Sequence, residues 1–142
     1  MPAPSATSLI DRVDDNDQPV GVVERREVFR ERAGFRVAHV FVFNDVGRVL
    51  LQRVGRSGTR SPMLYGSSVA GYLFAGESYL EAAQRRLREE LMLESPLSTV
   101  GSVRMNDRGS TKFIRLFRTI GDNPVIGDLG FPPNRGGSRL VD

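Results

Sequence analysis

The chain of 142 residues has no cysteine and no tryptophan, and only one histidine. The missing cysteines exclude disulfides, thiolate zinc sites and a thiol nucleophile, so any chemistry must use oxygen and nitrogen groups. Long apolar runs are also absent. Stretches such as Val37 to Phe43 fall far short of the roughly 20 residues that a bilayer span needs, and the N-terminus shows no basic-then-apolar leader. A cytoplasmic protein with no membrane partner is expected. Charge of one sign is not gathered anywhere: 20 Lys and Arg against 17 Asp and Glu give a net +3, and the two signs are interleaved along the chain. Without a basic block or interleaved aromatics, nucleic-acid binding is disfavoured. Lysine itself is nearly missing, because Lys112 is the only one. Arginine pairs with phosphate through a planar, bidentate fork, so a phosphorylated small ligand gains weight.

What is present suits one soluble domain: 39% hydrophobic and 26% charged residues in 15.7 kDa. Residues 1–10 are expected to be a flexible N-terminus, 11–120 the folded domain, and 121–142, rich in glycine and proline, an irregular tail. Within the domain, Asp11 to Gln18 is an acidic turn cluster ahead of a short edge strand at Pro19 to Val23. The charged segment Glu24 to Arg32 predicts a short helix. Arg36 to Phe43 predicts a buried strand, turned at Asn44 to Gly47 into a return strand over Arg48 to Val54. A loop over Gly55 to Pro62, an extended segment at Gly66 to Leu73, and two strands near Thr99 to Met105 and Thr111 to Ile120 complete the pattern.

Between them lies one strong helix signal. Ser78 with Glu81 three residues on is a capping box, and Leu80, Ala83, Leu87 and Leu91 form one apolar stripe. Arg85, Arg86, Glu89 and Glu90 then fall on or beside the outward face, with Glu77 just before the cap. Adjacent carboxylates on a rigid helix beside a glycine-rich loop can supply oxygens to a hard divalent cation. The same residues also make i,i+4 ion pairs on a solvated face, each worth a few tenths of a kcal/mol.

The spacing decides between the two. Gly71, five residues, Glu77, seven residues, Arg85, Leu87, Glu89-Glu90 and Leu93 resemble the Nudix box, G-x5-E-x7-R-E-U-x-E-E-x-G-U with U aliphatic. Outside the box, Val13 to Gly21, His39 to Asn44, Leu50 to Arg53 and Ser67 to Gly71 look like the branch holding isopentenyl diphosphate isomerase and its hydrolase-like relatives. The isomerase itself fits poorly, because its chemistry needs a cysteine near Ser67-Ser68 and a metal-binding histidine where this chain has Phe35. The resemblance implies an α/β (α+β) fold, a Nudix-type α/β/α sandwich around a mixed sheet. It also implies hydrolysis of the pyrophosphate bond of a nucleoside diphosphate linked to another moiety, with Mg²⁺ or Mn²⁺. Glu89 and Glu90 would be the catalytic metal ligands, with the Gly71 carbonyl near the cation, and Glu77 in support. Arg85 would orient the acids from behind, and Arg53 and Arg60 would contact substrate phosphate. The oligomeric state, a homodimer included, is left open.

Two positions depart from the box. Arg86 stands where the pattern has a glutamate, which changes the local charge by two units; it would either sit between Glu89 and Glu90 or swing outward on its stem. Met92 replaces the glycine and predicts a helix running on toward Glu94. Arg86 also raises an alternative: a Nudix-fold binding module whose hydrolysis is weakened or lost. His39 alternates within its strand, which favours burial with a hydrogen bond over a catalytic role.

Overall fold

In the computed structural model of the protein the described residues are 8–53, 65–121 and 138–141. The expected loop over Gly55 to Pro62 and most of the expected irregular tail lie outside them.

Two strands, β1 (Leu9–Val13) and β2 (Pro19–Glu24), pair into an antiparallel hairpin. A mixed sheet follows, with β3 (Phe35–Phe43) at its centre. β3 runs parallel to β8 (Ser110–Ile120), which pairs in turn with β7 (Ser98–Asp107). On its other side β3 takes two antiparallel partners in sequence: β6 (Val69–Tyr72) along Val37 to Val40, then β4 (Val49–Arg53) at Val42 and Phe43. β5 (Tyr65–Gly66) and β9 (Ser138–Val141) both pair with β4. β9 falls in the segment expected to be irregular, where four residues are too few for the alternation that marks a strand.

Alternation along β3 divides the core. Ala38, Val40 and Val42 face α1 (Tyr79–Leu91) and pack with Leu50, Val69, Ala83 and Leu87. Phe35 and Val37 face the opposite way, onto Ile10, Val23, Val28 and Ile114. That second face is covered by the β1–β2 hairpin and a 3-10 turn, Arg25–Glu27, in place of the helix expected over Glu24 to Arg32. The segment has only Val28 and Phe29 to bury, too little apolar surface for a helix of its own.

The helix begins as expected. Ser78 Oγ accepts from Glu81 N at 3.1 Å and Glu81 returns the bond to Ser78 N at 2.9 Å. Its buried face, however, is Tyr79, Ala82, Ala83, Arg85 and Leu87, while Leu80 is 43% exposed. The stripe is rotated by one residue because Tyr79 has a polar anchor: its hydroxyl donates to Asp17 at 2.8 Å. Arg36 also pairs with Asp17, at 2.6 Å, so one carboxylate ties the β1–β2 turn to both sheet and helix. The helix does not run on to Glu94. It stops at Leu91, and Met92 takes the left-handed conformation (φ 53°, ψ 34°) that the glycine of the motif would adopt without strain.

Candidate active site

The residues of the motif converge where α1, β6 and the connection between them meet. Arg85, expected on the outward face, is only 8% exposed. Its guanidinium lies 3.9 Å over the Phe74 ring and donates to both oxygens of Glu77, at 2.6 and 3.0 Å, and to Tyr72 O at 3.1 Å. Glu77 completes the lock by accepting from Phe74 N at 2.8 Å. Strand end, connection and helix are thus held by one ion pair that is almost wholly desolvated, where geometry and full hydrogen bonding decide whether a charge is tolerated. A fourth donor, Arg85 Nη1, reaches Glu89 Oε1 at 3.2 Å.

Glu89 and Glu90 are enclosed, with side chains 14% and 8% exposed. Between them sits Arg86. Its Nη1 donates to Glu89 Oε1 at 2.9 Å, its Nη2 pairs with Glu90 Oε1, and its Nε points to Ala70 O at 3.4 Å. The stem of Arg86 crosses directly over Gly71: a Cβ built there would lie 2.6 Å from Arg86 Cγ. Glycine at this place in β6 therefore serves a close approach, with no turn involved. Glu89 Oε2 is buried without a hydrogen-bond partner.

Among the described residues no three acidic or histidine side chains converge as a ready cation site. The donor chemistry nonetheless fits a hard divalent ion, with two neighbouring buried carboxylates, one orphaned oxygen, and a positive group already bridging them.

Of the other expected site residues, Arg60 and the side chain of Arg53 lie outside the described residues; the backbone of Arg53 pairs with Tyr65. His39 is half-buried, its Nδ1 3.0 Å from Ser67 Oγ, as expected for a strand histidine. Burial foremost, and the nearby charge of Lys112, hold its pKa below the ordinary value. Ser67 also donates to Val69 O at 3.0 Å, and Ser68 bonds Leu50 O, so both serines are spent on structure. Phe35 is fully buried and stacked on Tyr72, centroids 5.3 Å apart. Neither place offers the isomerase's groups. Three groups escaped the sequence reading: Asp17, which ties hairpin to helix, and Arg25 and Lys112. The last two line a cavity of about 390 Å³ together with His39, Tyr72 and Arg86. A larger groove, about 690 Å³, runs along the far side of α1 with charges of both signs and touches the motif at Glu77, Arg85, Leu87 and Leu93, away from Glu89 and Glu90.

The NUDIX domain family model matches residues 34–128. The chain belongs to the Nudix family. An uncharacterised Nudix hydrolase of Pseudomonas aeruginosa is 31% identical over 125 residues, 87% of this chain and 73% of that protein. An isopentenyl-diphosphate Delta-isomerase of Serratia proteamaculans is 37% identical over 90 residues, 63% of this chain and 50% of that protein. The matches to that isomerase, and to similar isomerases and Nudix hydrolases, span about half of those proteins' length. Among solved structures, a hypothetical Nudix protein of Deinococcus radiodurans superposes with a TM-score of 0.71 at 25% identity, covering 94% of this chain and 82% of that one. The NUDIX domain of Shewanella oneidensis NrtR, solved with ADP ribose, shares the fold at a TM-score of 0.50 and 20% identity, over 64% of this chain and 62% of that one. The mixed sheet and the one long helix among the described residues are those of Nudix neighbours, and hydrolase is the activity the family supports in general.

Proposed function

We propose that this Nudix protein hydrolyses the pyrophosphate bond of a small-molecule diphosphate, a nucleoside diphosphate joined to another moiety, with Mg²⁺ or Mn²⁺. The observation that carries the reading is the pair Glu89 and Glu90, side by side, buried, and bridged by a positive group. These two carboxylates would hold the cation, with the Gly71 carbonyl beside them. When bound, a divalent ion neutralises the diphosphate and lowers the pKa of a water for attack at phosphorus.

The chain's own residues do the rest. Glu77 and Arg85 fix the helix against Phe74 and Tyr72, so the two acids are held in place before any ligand arrives. Arg86 has two stations on its long stem, one between the acids and one turned outward toward a substrate phosphate. Arg53 and Arg60 are proposed as further phosphate contacts. A diphosphate joining two moieties is also the chemistry of ADP ribose, the ligand of the Shewanella domain. The alternative, a binding module without turnover, is what a permanently closed Arg86 bridge would give; the relatives do not favour it.

The test is release of nucleoside monophosphate from a panel of nucleoside diphosphate derivatives, with and without Mn²⁺, for the wild type and Glu90→Gln. Metal-dependent turnover is expected, falling in Glu90→Gln by at least the roughly 100-fold that loss of an outer metal partner costs. Retained ligand binding with no turnover across the panel would establish the binding module.

A further inference from the structure

Arg115 is a charge set in an apolar surface. It lies mid-strand in β8, opposite Ala38 in the parallel register, and so projects onto the helix-bearing face of the sheet between Phe113 and Phe117. Among the described residues no carboxylate lies within ion-pair distance of it. Its Nε reaches only Ser102 Oγ, at a long 3.4 Å, and its guanidinium carbon lies 4.3 Å from the Tyr79 ring centroid. Arg36, on the adjoining strand β3, approaches the same ring at 5.4 Å. The one acid between them is Asp17, and both its oxygens are engaged: Oδ1 accepts from Arg36 at 2.6 Å and Oδ2 from the Tyr79 hydroxyl at 2.8 Å. Asp15, in the same turn, pairs with Arg104 at 3.6 Å. Tyr79 cannot supply the missing charge, because burial, and then its bond to Asp17, push its pKa well above the ordinary value and keep the hydroxyl protonated. Two guanidiniums thus share one carboxylate in a half-buried place that water screens only in part.

These groups line a cleft of about 480 Å³ at the start of α1, with Leu80, Leu97 and Phe117 as its apolar wall. We propose that this cleft binds a small monocarboxylate with an apolar body, the carboxylate held by Nη1 and Nη2 of Arg115 and flanked by Arg36, the body lying against Leu80, Leu97 and Phe117. One carboxylate brings the single negative charge that the cluster lacks, and its two oxygens match the guanidinium fork. A phosphate monoester, with close to two negative charges at neutral pH, would overshoot that balance. The volume lies within the range of small-ligand sites. Leu80, 43% exposed at the mouth of the cleft, gains a surface to cover. The site is separate from the motif carboxylates: Ser78, at its rim, and Glu89 stand about three turns apart, roughly 16 Å along the helix. It goes beyond the hydrolysis proposed above and does not depend on it.

Titration of the isotope-labelled full chain with sodium benzoate, followed by two-dimensional NMR, tests the proposal. Saturable shifts are expected at the amides of Leu80, Thr99 and Arg115, which line the cleft. Acetate, which lacks the apolar body, and benzyl alcohol, which lacks the charge, should each bind at least about tenfold more weakly than benzoate, and Arg115→Gln should weaken benzoate by a similar factor. Arg115→Lys keeps the charge but loses the fork, and should weaken benzoate at least about threefold. It carries the test should the melting temperature show that Arg115→Gln has lost its fold. Absence of saturable shifts at the cleft, a benzoate affinity unmoved by the Arg115 substitutions, or tighter binding of inorganic phosphate than of benzoate overturns the inference.

Discussion

Arg86 is where the site's electrostatics are decided. A guanidinium among carboxylates at 4 to 6 Å is worth roughly 3 to 4 kcal/mol per pair at an effective dielectric near 20, before screening. It competes directly with any second cation for Glu89 and Glu90. Its stem depends on Gly71, which yields a packing prediction. Gly71→Ala places a methyl 2.6 Å from Arg86 Cγ, and overpacking of this kind should cost about 1 to 3 kcal/mol. In an Arg86→Ala background the same change should cost almost nothing. Urea denaturation of the four variants measures the coupling; equal costs in both backgrounds would disprove the contact. His39 supplies a pH dependence. Burial penalises its charged ring, so the unfolded chain takes up the proton more readily. Stability is therefore complete above the ring's ordinary 6.5 and declines as pH falls below it. His39→Gln should remove that part of the acid slope, seen as denaturation midpoints that stay closer together between about pH 7 and 5. Roles for Glu77, Glu89 and Glu90 were implied by the resemblance of the motif; in the structure Arg85 pairs with Glu77 and Glu89, and Arg86 with Glu89 and Glu90. That Arg86 would choose the inward station could not be read, because its stem and its two partners are set by the approach of β6, a contact remote in sequence.

At the scale of elements, α1 was the most legible part of the chain, since its start is written locally by Ser78 and Glu81. Its phase and its end were not. The phase is set by Tyr79 reaching Asp17, 62 residues away, and Leu80 consequently faces out. The end is set by Met92, which is 89% exposed and held in a left-handed turn despite its side chain. A non-glycine residue in that conformation costs about 1 to 2 kcal/mol, partly offset by the greater chain entropy of glycine. Met92→Gly should therefore stabilise the protein by about 0.5 to 1 kcal/mol in thermal or urea unfolding, with no change in metal binding. A destabilised Met92→Gly would show that the methionine makes contacts that outweigh its backbone strain. The strands β3, β4 and β8 were legible from β-branched and aromatic density. β1 was harder, because Leu9–Val13 holds two charged residues in five and reads as part of a flexible end until its partner β2 is known.

Across the whole molecule, the sheet divides the protein into a helix-bearing face and a hairpin-bearing face, and the site sits at the edge strand β6 where both are reachable. From one side come the two acids of α1; from the other come Arg25 and Lys112. Such a meeting of distant segments is invisible in a linear pattern, which is why the motif was found and the cationic cavity was not. Within the site, Glu77, Glu89 and Glu90 are opposed by Arg85 and Arg86, so the cluster keeps little negative charge to attract a free divalent ion. Removing the opposing charge at its centre is the direct trial. Mn²⁺ affinity, read by electron paramagnetic resonance of the free ion, should tighten by at least about tenfold in Arg86→Glu relative to the wild type. An affinity that does not change would contradict the claim that this guanidinium holds the cation's place.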